Sequence, residues 1–326
     1  MPTITDKPPD DIRNELAQLR TTLDCIPSKA VDRNLVVATW NIRHFGDLTE
    51  KWKSEPQDSP KRDLHSLLCI AKIVKRFDVI ALQEVRSNIK ALRHLLKVLG
   101  PDWSLLLTDE TKGYRGNGER LVFLFDTRKV ALSGLACEIV IPEDPKKPRK
   151  HSLDKQFART PYAVGFKSGD KTFILITLHV YYGTDTSNRK SELKEIAMWL
   201  KNWALDANSW DHNLIALGDF NINRKGDELY DAFTSTGLRS PDDLDVCPRT
   251  IFSRPGESDT HKFYDQIAWF LGVEGEPALS MKYIKGGYFD FTDKVLKNRT
   301  LTKHQLSWHI SDHYPLWAEF EIREVS

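Results

Sequence analysis

Polar side chains with the chemistry of metal and phosphate sites follow short apolar segments in this sequence. In the stretch LIALGDFN, the apolar residues 214–217 precede Gly218, and Asp219 and Asn221 then occupy alternate positions. Alternate residues of an extended chain share a face, so both side chains project together from the end of a predicted buried strand. A carboxylate beside an amide suits a metal ion or a phosphate group. Gly, Asp and Asn are also the commonest turn residues, and taken alone this tetrapeptide slightly favours a plain turn.

Other predicted strands carry the same kind of side chain at their ends. These further residues are Asn41, Glu84, His179, Asp265, Asp312 and His313, with Glu119 at the start of ERLVFLF. Carboxylates without cysteine suit a hard cation such as Mg²⁺, Mn²⁺ or Ca²⁺, and two histidines suit proton transfer near neutral pH. The amides of Asn41 and Asn221 can donate hydrogen bonds to an anionic phosphate oxygen. Phosphoryl transfer to water requires these parts.

Each of these residues also has a purely structural explanation. Glu84 is placed to cap a helix, and Asp265 could pair with a basic neighbour. A single histidine in an apolar strand, such as His179, is usually a satisfied core residue. One shared site, however, explains all of the strand-end residues together.

Apolar strands alternate with predicted helices in both halves of the chain. Amphipathic patterns predict helices over residues 11–26, 62–77, 187–207 and 228–234, and Ser87 is a candidate N-cap for another that runs to residue 99. Apolar runs predict strands over residues 35–46, 78–86, 103–110, 119–126, 129–141 and 262–270, and a hairpin that turns at Gly169. This alternation predicts one α/β domain with two central sheets, helices outside, and a site where strand ends meet.

Composition limits the class of protein but does not indicate a binding partner. The 326 residues are 40% hydrophobic and 29% charged, with a net charge of +1, as in a soluble globular protein. No apolar run approaches membrane-spanning length, so no membrane partner is expected. The N-terminal residues lack the pattern of a secretory signal, and the four cysteines are scattered without metal-site spacing. We therefore expect a cytoplasmic protein.

A set of motifs in order points to a known family. TWNIRHFG, LQEVR, ERLVFLFDTRKV, LHVYYG, LGDFN, YDQIAW and ISDHYP resemble motifs of the endonuclease/exonuclease/phosphatase superfamily, and most closely those of its pancreatic deoxyribonuclease branch. The resemblance covers about residues 35–322. It implies a four-layered α/β sandwich with two central mixed β-sheets flanked by helices. We accordingly divide the chain into an N-terminal extension with an amphipathic helix, residues 1–30, and a nuclease domain, residues 31–326.

The resemblance also implies roles for individual residues. Glu84 would ligate the catalytic cation, and the further metal or phosphate contacts would be Asn41, Asp219, Asn221 and Asp312. His179 and His313 would form the acid/base pair, oriented by Glu119 and Asp265 respectively. Contacts to the substrate or support for the site would come from Arg159 at the scissile phosphate, Arg86 in the DNA minor groove and Thr260 beside Asp265.

The sequence departs from that branch in two places. Asn117 stands where the branch has a stacking tyrosine, and Tyr114 or Arg115 in the same loop is an equally good replacement. Arg224 and Lys262 stand where the branch has a disulfide. The first departure concerns duplex preference rather than phosphodiester chemistry.

Three functions compete at this point. The leading one is an Mg²⁺-dependent deoxyribonuclease, with Mn²⁺ or Ca²⁺ as substitute or helper, that cuts duplex DNA as a monomer; RNA stays open as a substrate. The second is hydrolysis of inositol phosphates or phospholipid head groups, although Phe263 and Tyr264 replace the tryptophan-cysteine pair of that branch. The third is a non-catalytic nucleic-acid-binding protein.

Overall fold

The structure is a computed structural model that describes residues 1–112, 117–139, 159–183, 186–206, 211, 213–254, 262–272 and 279–322. Within these residues, no helix combines the length and the apolar composition needed to cross a membrane. All four cysteines of the sequence are free thiols.

The described residues contain seven α-helices and twelve strands. The helices are α1 (Asp10–Thr22), α2 (Leu64–Val74), α3 (Lys90–Leu99), α4 (Thr186–Leu205), α5 (Glu228–Thr234), α6 (Asp242–Asp245) and α7 (Lys303–His309). The strands are β1 (Asn34–Phe45), β2 (Val79–Arg86), β3 (Trp103–Leu107), β4 (Glu119–Asp126), β5 (Ala131–Glu138), β6 (Tyr162–Ser168), β7 (Lys171–His179), β8 (Leu214–Asp219), β9 (Leu238–Arg239), β10 (Asp265–Phe270), β11 (Lys282–Tyr288) and β12 (Leu316–Glu321).

The described strands form two mixed six-stranded sheets. The first has the order β11-β12-β1-β2-β4-β3 and the second the order β5-β6-β7-β8-β10-β9. Strands β1 and β2 run parallel, as do β7 and β8, and these parallel pairs lie inside their sheets. Parallel strands buried on both faces explain the continuous apolar runs of the sequence.

Three apolar clusters separate four layers. Leu35 and Val37 of β1 share a cluster between the sheets with Leu175 of β7 and Ile215 of β8. On its other face, β1 sends Trp40 into the cluster that α1, α2 and α3 cover. Helices α4 and α5 cover the outer face of the second sheet. The predicted four-layered sandwich is therefore confirmed.

Two local predictions can be compared with the structure, and one of them is wrong. The hairpin between β6 and β7 turns at Gly169, whose φ of +60° suits glycine, as predicted. The predicted N-cap role of Ser87 is wrong, because α3 begins after Ile89 without a side-chain cap and the Ser87 hydroxyl donates to Glu110 at 2.7 Å.

The register of the strands brings their polar ends together. His179 at the end of β7 lies opposite Asp219 at the end of β8, and Asp265 at the start of antiparallel β10 lies opposite Asp219 on its other side. Gly218 makes this approach possible, because its φ is +143° and a Cβ there would lie 2.1 Å from the carbonyl oxygen of Leu178. A side chain at position 218 would thus push β8 away from β7.

Candidate active site

A cavity of about 320 Å³ opens where these strand ends meet. Its lining includes nine of the residues proposed from the sequence, namely Asn41, Glu84, Glu119, Arg159, His179, Asp219, Asn221, Asp312 and His313. It also includes five further residues, Arg43, His44, Asn117, Tyr182 and Tyr264. Side chains from both sheets therefore converge on one polar cavity.

The amide of Asn41 joins two carboxylates from different sheets. Its Nδ2 lies 3.1 Å from Glu84 Oε1 and 2.9 Å from Asp219 Oδ2. The second oxygen of Glu84 accepts a hydrogen bond from the backbone nitrogen of His44 at 2.9 Å. Asp312, whose side chain is 27% exposed, lies 3.3 Å from Nη1 of Arg43. Carboxylate and amide oxygens thus dominate this part of the cavity.

His179 is held by a buried carboxylate. Its Nδ1 lies 2.9 Å from Glu119 Oε2, and its Nε2 lies 3.6 Å from Asp219 Oδ2. Burial raises the pKa of Glu119, but the hydrogen bond and charge of His179 and the charges of Arg159 and Arg86 outweigh it and lower this pKa to about 2. Glu119 therefore stays ionised and fixes the orientation of the imidazole.

His313 repeats this arrangement from the other side of the cavity. Its Nδ1 lies 2.6 Å from Oδ2 of the fully buried Asp265. Burial lowers the pKa of His313, but the carboxylates of Asp265, Asp219 and Asp312 raise it well above its ordinary value. The Tyr264 ring stacks on the imidazole with a centroid distance of 5.7 Å. In both pairs the carboxylate occupies Nδ1, which leaves Nε2 for the cavity.

Cations and amides surround the Glu119 carboxylate. Arg159 Nε lies 2.8 Å from Oε2, and Asn117 Nδ2 donates to Oε1 at 2.9 Å. Arg86 lies outside the cavity lining, on the rim, where it contacts Asn117, His44 and, at 3.5 Å, Glu119. Asn117 is thus part of the histidine's support rather than a stacking group.

Backbone strain is concentrated at the cavity. Among the described non-glycine residues, the positive φ angles belong to Arg43, His44, Glu84, Asn117, Asn221 and Leu296. All but Leu296 line the cavity. Each such residue costs on the order of 1–3 kcal/mol, and strain of this kind persists where the surrounding structure over-determines the backbone.

Comparison with known proteins agrees with this geometry. The model of the endonuclease/exonuclease/phosphatase family matches residues 38–313. The chain belongs to this family. A deoxyribonuclease of Thioalkalivibrio sp. (strain K90mix) is 29% identical over 203 residues, which are 60% of this chain and 48% of that protein, so the match spans about half of that relative. Human deoxyribonuclease gamma is 25% identical over 338 residues, which cover 95% of this chain and 92% of that protein.

A solved structure shows the same fold. The mannosyl-6-phosphatase of Bacteroides thetaiotaomicron VPI-5482 superposes with a TM-score of 0.56 at 20% identity, over 88% of this chain and 99% of that one. This likeness concerns the fold alone. The choice of phosphate ester must therefore come from the residues of the cavity.

The donor set fits the divalent cation on which enzymes of this family depend. Glu84, Asp219 and Asp312 offer carboxylate oxygens, Asn41 offers an amide oxygen, and no cysteine lines the cavity. Asp219, Asp265 and His313 also offer ligand atoms within 4.8 Å of one another. In that trio, however, Asp265 Oδ2 is already bonded to His313 Nδ1, so Asp265 suits orientation of the imidazole better than metal binding.

Two of the sequence-based residues lie apart from the lining, and three lie outside the described residues. Asp265 lies behind His313, and Arg86 lies on the rim. Thr260 is outside the described residues, as are Tyr114 and Arg115. The sequence reasoning missed Arg43, His44, Tyr182 and Tyr264 as cavity residues. All four lie within the motifs TWNIRHFG, LHVYYG and YDQIAW, so their place in those motifs was the available signal.

Proposed function

We propose that this protein is a divalent-metal-dependent deoxyribonuclease that hydrolyses phosphodiester bonds within DNA strands, as an endonuclease. One observation carries the proposal: two buried histidines, each held through Nδ1 by its own buried carboxylate, line the same cavity as the carboxylate-rich donor set. Phosphodiester hydrolysis needs one group to take a proton from water and another to give a proton to the leaving oxygen. The deoxyribonuclease relatives support DNA as the substrate.

Each group of the cavity has a role in this proposal. The His179 and His313 imidazoles transfer protons at Nε2, with Glu119 and Asp265 fixing their tautomers. Arg159 and the amide of Asn221 bind the scissile phosphate, and Arg86 binds the DNA backbone nearby. Asn41 and Asp219 also serve as metal ligands.

Glu84 and Asp312, with Asn41 and Asp219, would hold Mg²⁺, which Mn²⁺ or Ca²⁺ could replace or assist. When bound, the cation offsets the negative charge that develops on the phosphate. The protein's own contribution is to hold these oxygens in place before substrate arrives. Asn41 does so by bonding to Glu84 and Asp219 together.

A plasmid-nicking assay with and without EDTA tests the proposal. We expect Mg²⁺-dependent conversion of supercoiled to nicked plasmid, and His179→Ala should lower the rate by roughly 10²–10⁴-fold, the range for a general acid or base. His94→Ala on α3 is the matched control, because this histidine lies outside the cavity lining and bonds within its own helix. A nicking rate that is unchanged both by EDTA and by His179→Ala would overturn the proposal.

A substrate comparison addresses the inositol phosphate alternative. Purified protein is incubated with supercoiled plasmid and, separately, with soluble inositol polyphosphates, and released phosphate is measured. Release of phosphate from the inositol polyphosphates, with the plasmid left intact, would identify inositol phosphates rather than DNA as the substrate. DNA binding without turnover in Mg²⁺ or Mn²⁺ would instead favour the non-catalytic alternative.

A further inference from the structure

A row of planar side chains runs along the rim of the cavity. Arg86 contacts the His44 imidazole with Nη2 at 2.8 Å from Nδ1, and the His44 ring lies 5.7 Å from the Trp308 indole. The guanidinium carbon of Arg43 lies 4.0 Å from the centroid of that indole. His304, one helical turn earlier, makes an edge contact with it at 6.5 Å. Two of these residues, Arg43 and His44, also line the cavity.

Trp308 is held rigidly but remains open to solvent. It lies on α7, whose Leu306, Ser307 and His309 are buried and whose first turn is closed by a Thr302–Gln305 capping box. The Trp308 side chain nevertheless stays 37% exposed. A single exposed aromatic residue on a protein surface needs no ligand to explain it. This one differs because it contacts two cavity-lining side chains, Arg43 and His44, and stands four residues before Asp312.

Cations interleaved with aromatic rings are the pattern of surfaces that bind unpaired nucleic-acid strands. Cationic groups follow the phosphates, and aromatic faces stack on the bases whatever their sequence. Arg43 connects the two functions here, since it contacts the Trp308 ring and lies 3.3 Å from Asp312. A nucleotide whose phosphate occupies the cavity would place a neighbouring base beside this rim.

We propose that Trp308, with His44 and Arg43, forms a stacking subsite for an unpaired base of the DNA substrate. This inference rests on the proposed deoxyribonuclease function and adds to it a preference for sites with exposed bases, such as single strands, gaps or frayed ends. Bases within an intact duplex have no free face, so an indole could reach them only by unstacking the helix.

Binding to two matched single-stranded oligonucleotides tests the subsite. Two fluorescent ten-nucleotide strands are compared in EDTA, which prevents turnover: one of thymidylates and one of abasic sugar phosphates with the same charge. Wild-type protein should bind the thymidylate strand more tightly. Trp308→Leu should weaken that binding by roughly 5- to 150-fold, the range for one base–aromatic stack, and leave binding of the abasic strand unchanged.

Two variants serve as controls. Trp308→Phe keeps an aromatic face and should retain most of the base-dependent affinity. Trp203→Leu removes an indole from α4, where it packs on Trp199 rather than on the cavity rim, and should change neither affinity. Thermal unfolding of every variant confirms that the compared proteins are folded.

Three results would overturn the inference. They are equal wild-type affinity for both strands, an unchanged thymidylate affinity in Trp308→Leu, and an equal loss on both strands in that variant. An equal loss would mean that the indole only holds Arg43 at the phosphate. Because binding is measured without metal, plasmid nicking with no base-dependent binding would overturn only this inference. Base-dependent binding without nicking would overturn only the proposed function.

Discussion

The two histidine–carboxylate pairs of the cavity differ in what surrounds the carboxylate. In addition to His179, Glu119 has the Arg159 guanidinium at 2.8 Å and the Asn117 amide at 2.9 Å, so its carboxylate is stabilised by an ion pair and by hydrogen bonds. Asp265 is fully buried, and burial raises its pKa to about 6 although His313 opposes this. Glu119 is therefore the more firmly ionised of the two, and its substitution gives the clearer test of how a carboxylate supports its histidine.

Glu119→Gln should impair catalysis more than binding. The amide keeps the size of the side chain but removes the charge that stabilises a protonated His179, so we expect kcat to fall by roughly 10²-fold or more, within the general acid or base range, with a smaller change in KM. Steady-state nicking kinetics measure both quantities. Glu228→Gln, at an exposed ion pair with Lys190, is the matched control. An unchanged kcat would remove Glu119 from the proposed site.

The same variant should change how stability depends on pH. The pKa of Glu119 is about 2 in the folded protein against 4.5 ordinarily, so above pH 4.5 the carboxylate is ionised in both states and its stabilisation is complete. Between pH 4.5 and 2 the unfolded chain takes up the proton first, and up to about 3 kcal/mol is lost. Denaturant unfolding should therefore show a steeper decline in this window for wild type than for Glu119→Gln, and equal slopes would contradict the assignment.

At the scale of elements, the cavity depends on how the end of β1 is tied to the segment after α7. Arg62 is 2% exposed and donates to backbone carbonyls on both sides, those of Ile42, Arg43 and His44 and those of His309 and Ile310, at 2.8–3.2 Å. Burial lowers its pKa to about 10. This guanidinium holds the strained Arg43–His44 backbone beside the segment that carries Asp312 and His313, so Arg62 is a positioning residue.

Arg62→Lys should loosen this connection without removing the charge. An ammonium group has three donors at one point and cannot span five carbonyls, so buried acceptors lose their partners at about 1–3 kcal/mol each. We expect a lower unfolding midpoint and, at temperatures where the variant is folded, a fall in kcat larger than the rise in KM. Arg93→Lys on the exposed face of α3 is the control. A variant with reduced stability but unchanged kcat would limit Arg62 to a structural role.

The elements that the sequence predicted are those with long, regular patterns. The buried runs of β1, β2, β7 and β8 were recognisable because both of their faces are apolar, and Asn41, Glu84, His179 and Asp219 stood out at their ends. Strand β11 was missed, since none of its residues is buried and it contains Gly286 and Gly287, and helix α7 was missed because it lies in a segment whose sequence pattern indicates loops. Arg62 and Trp308 were missed because their importance lies in contacts between distant segments.

Across the whole molecule, the N-terminal helix packs on the same body that carries the cavity. Ile12, Leu16 and Leu19 of α1 join the apolar cluster of the first sheet, and Glu15 lies 3.2 Å from His65 Nε2. Arg299 donates to the other ring nitrogen of His65, so each ring nitrogen already has a charged neighbour and neither is left for a metal ion. The contact between Glu15 and His65 thus links α1 to α2.

The two sheets give the cavity its two halves. The first sheet provides Asn41, Glu84 and Glu119, and the second provides His179, Asp219 and Asp265. The sequence predicted this convergence because each of these residues lies at or near one end of an apolar run. It did not predict the distances, which depend on the packing between the sheets and on the close contact at Gly218.

The most direct measurement of the central claim is the rate of Mg²⁺-dependent plasmid nicking by His179→Ala, His313→Ala and the double variant. If the two imidazoles act on one phosphate, each single variant loses roughly 10²–10⁴-fold and the double variant loses little more than the worse single one. Near-wild-type nicking by either single variant, or losses that multiply in full, would contradict a shared catalytic cavity.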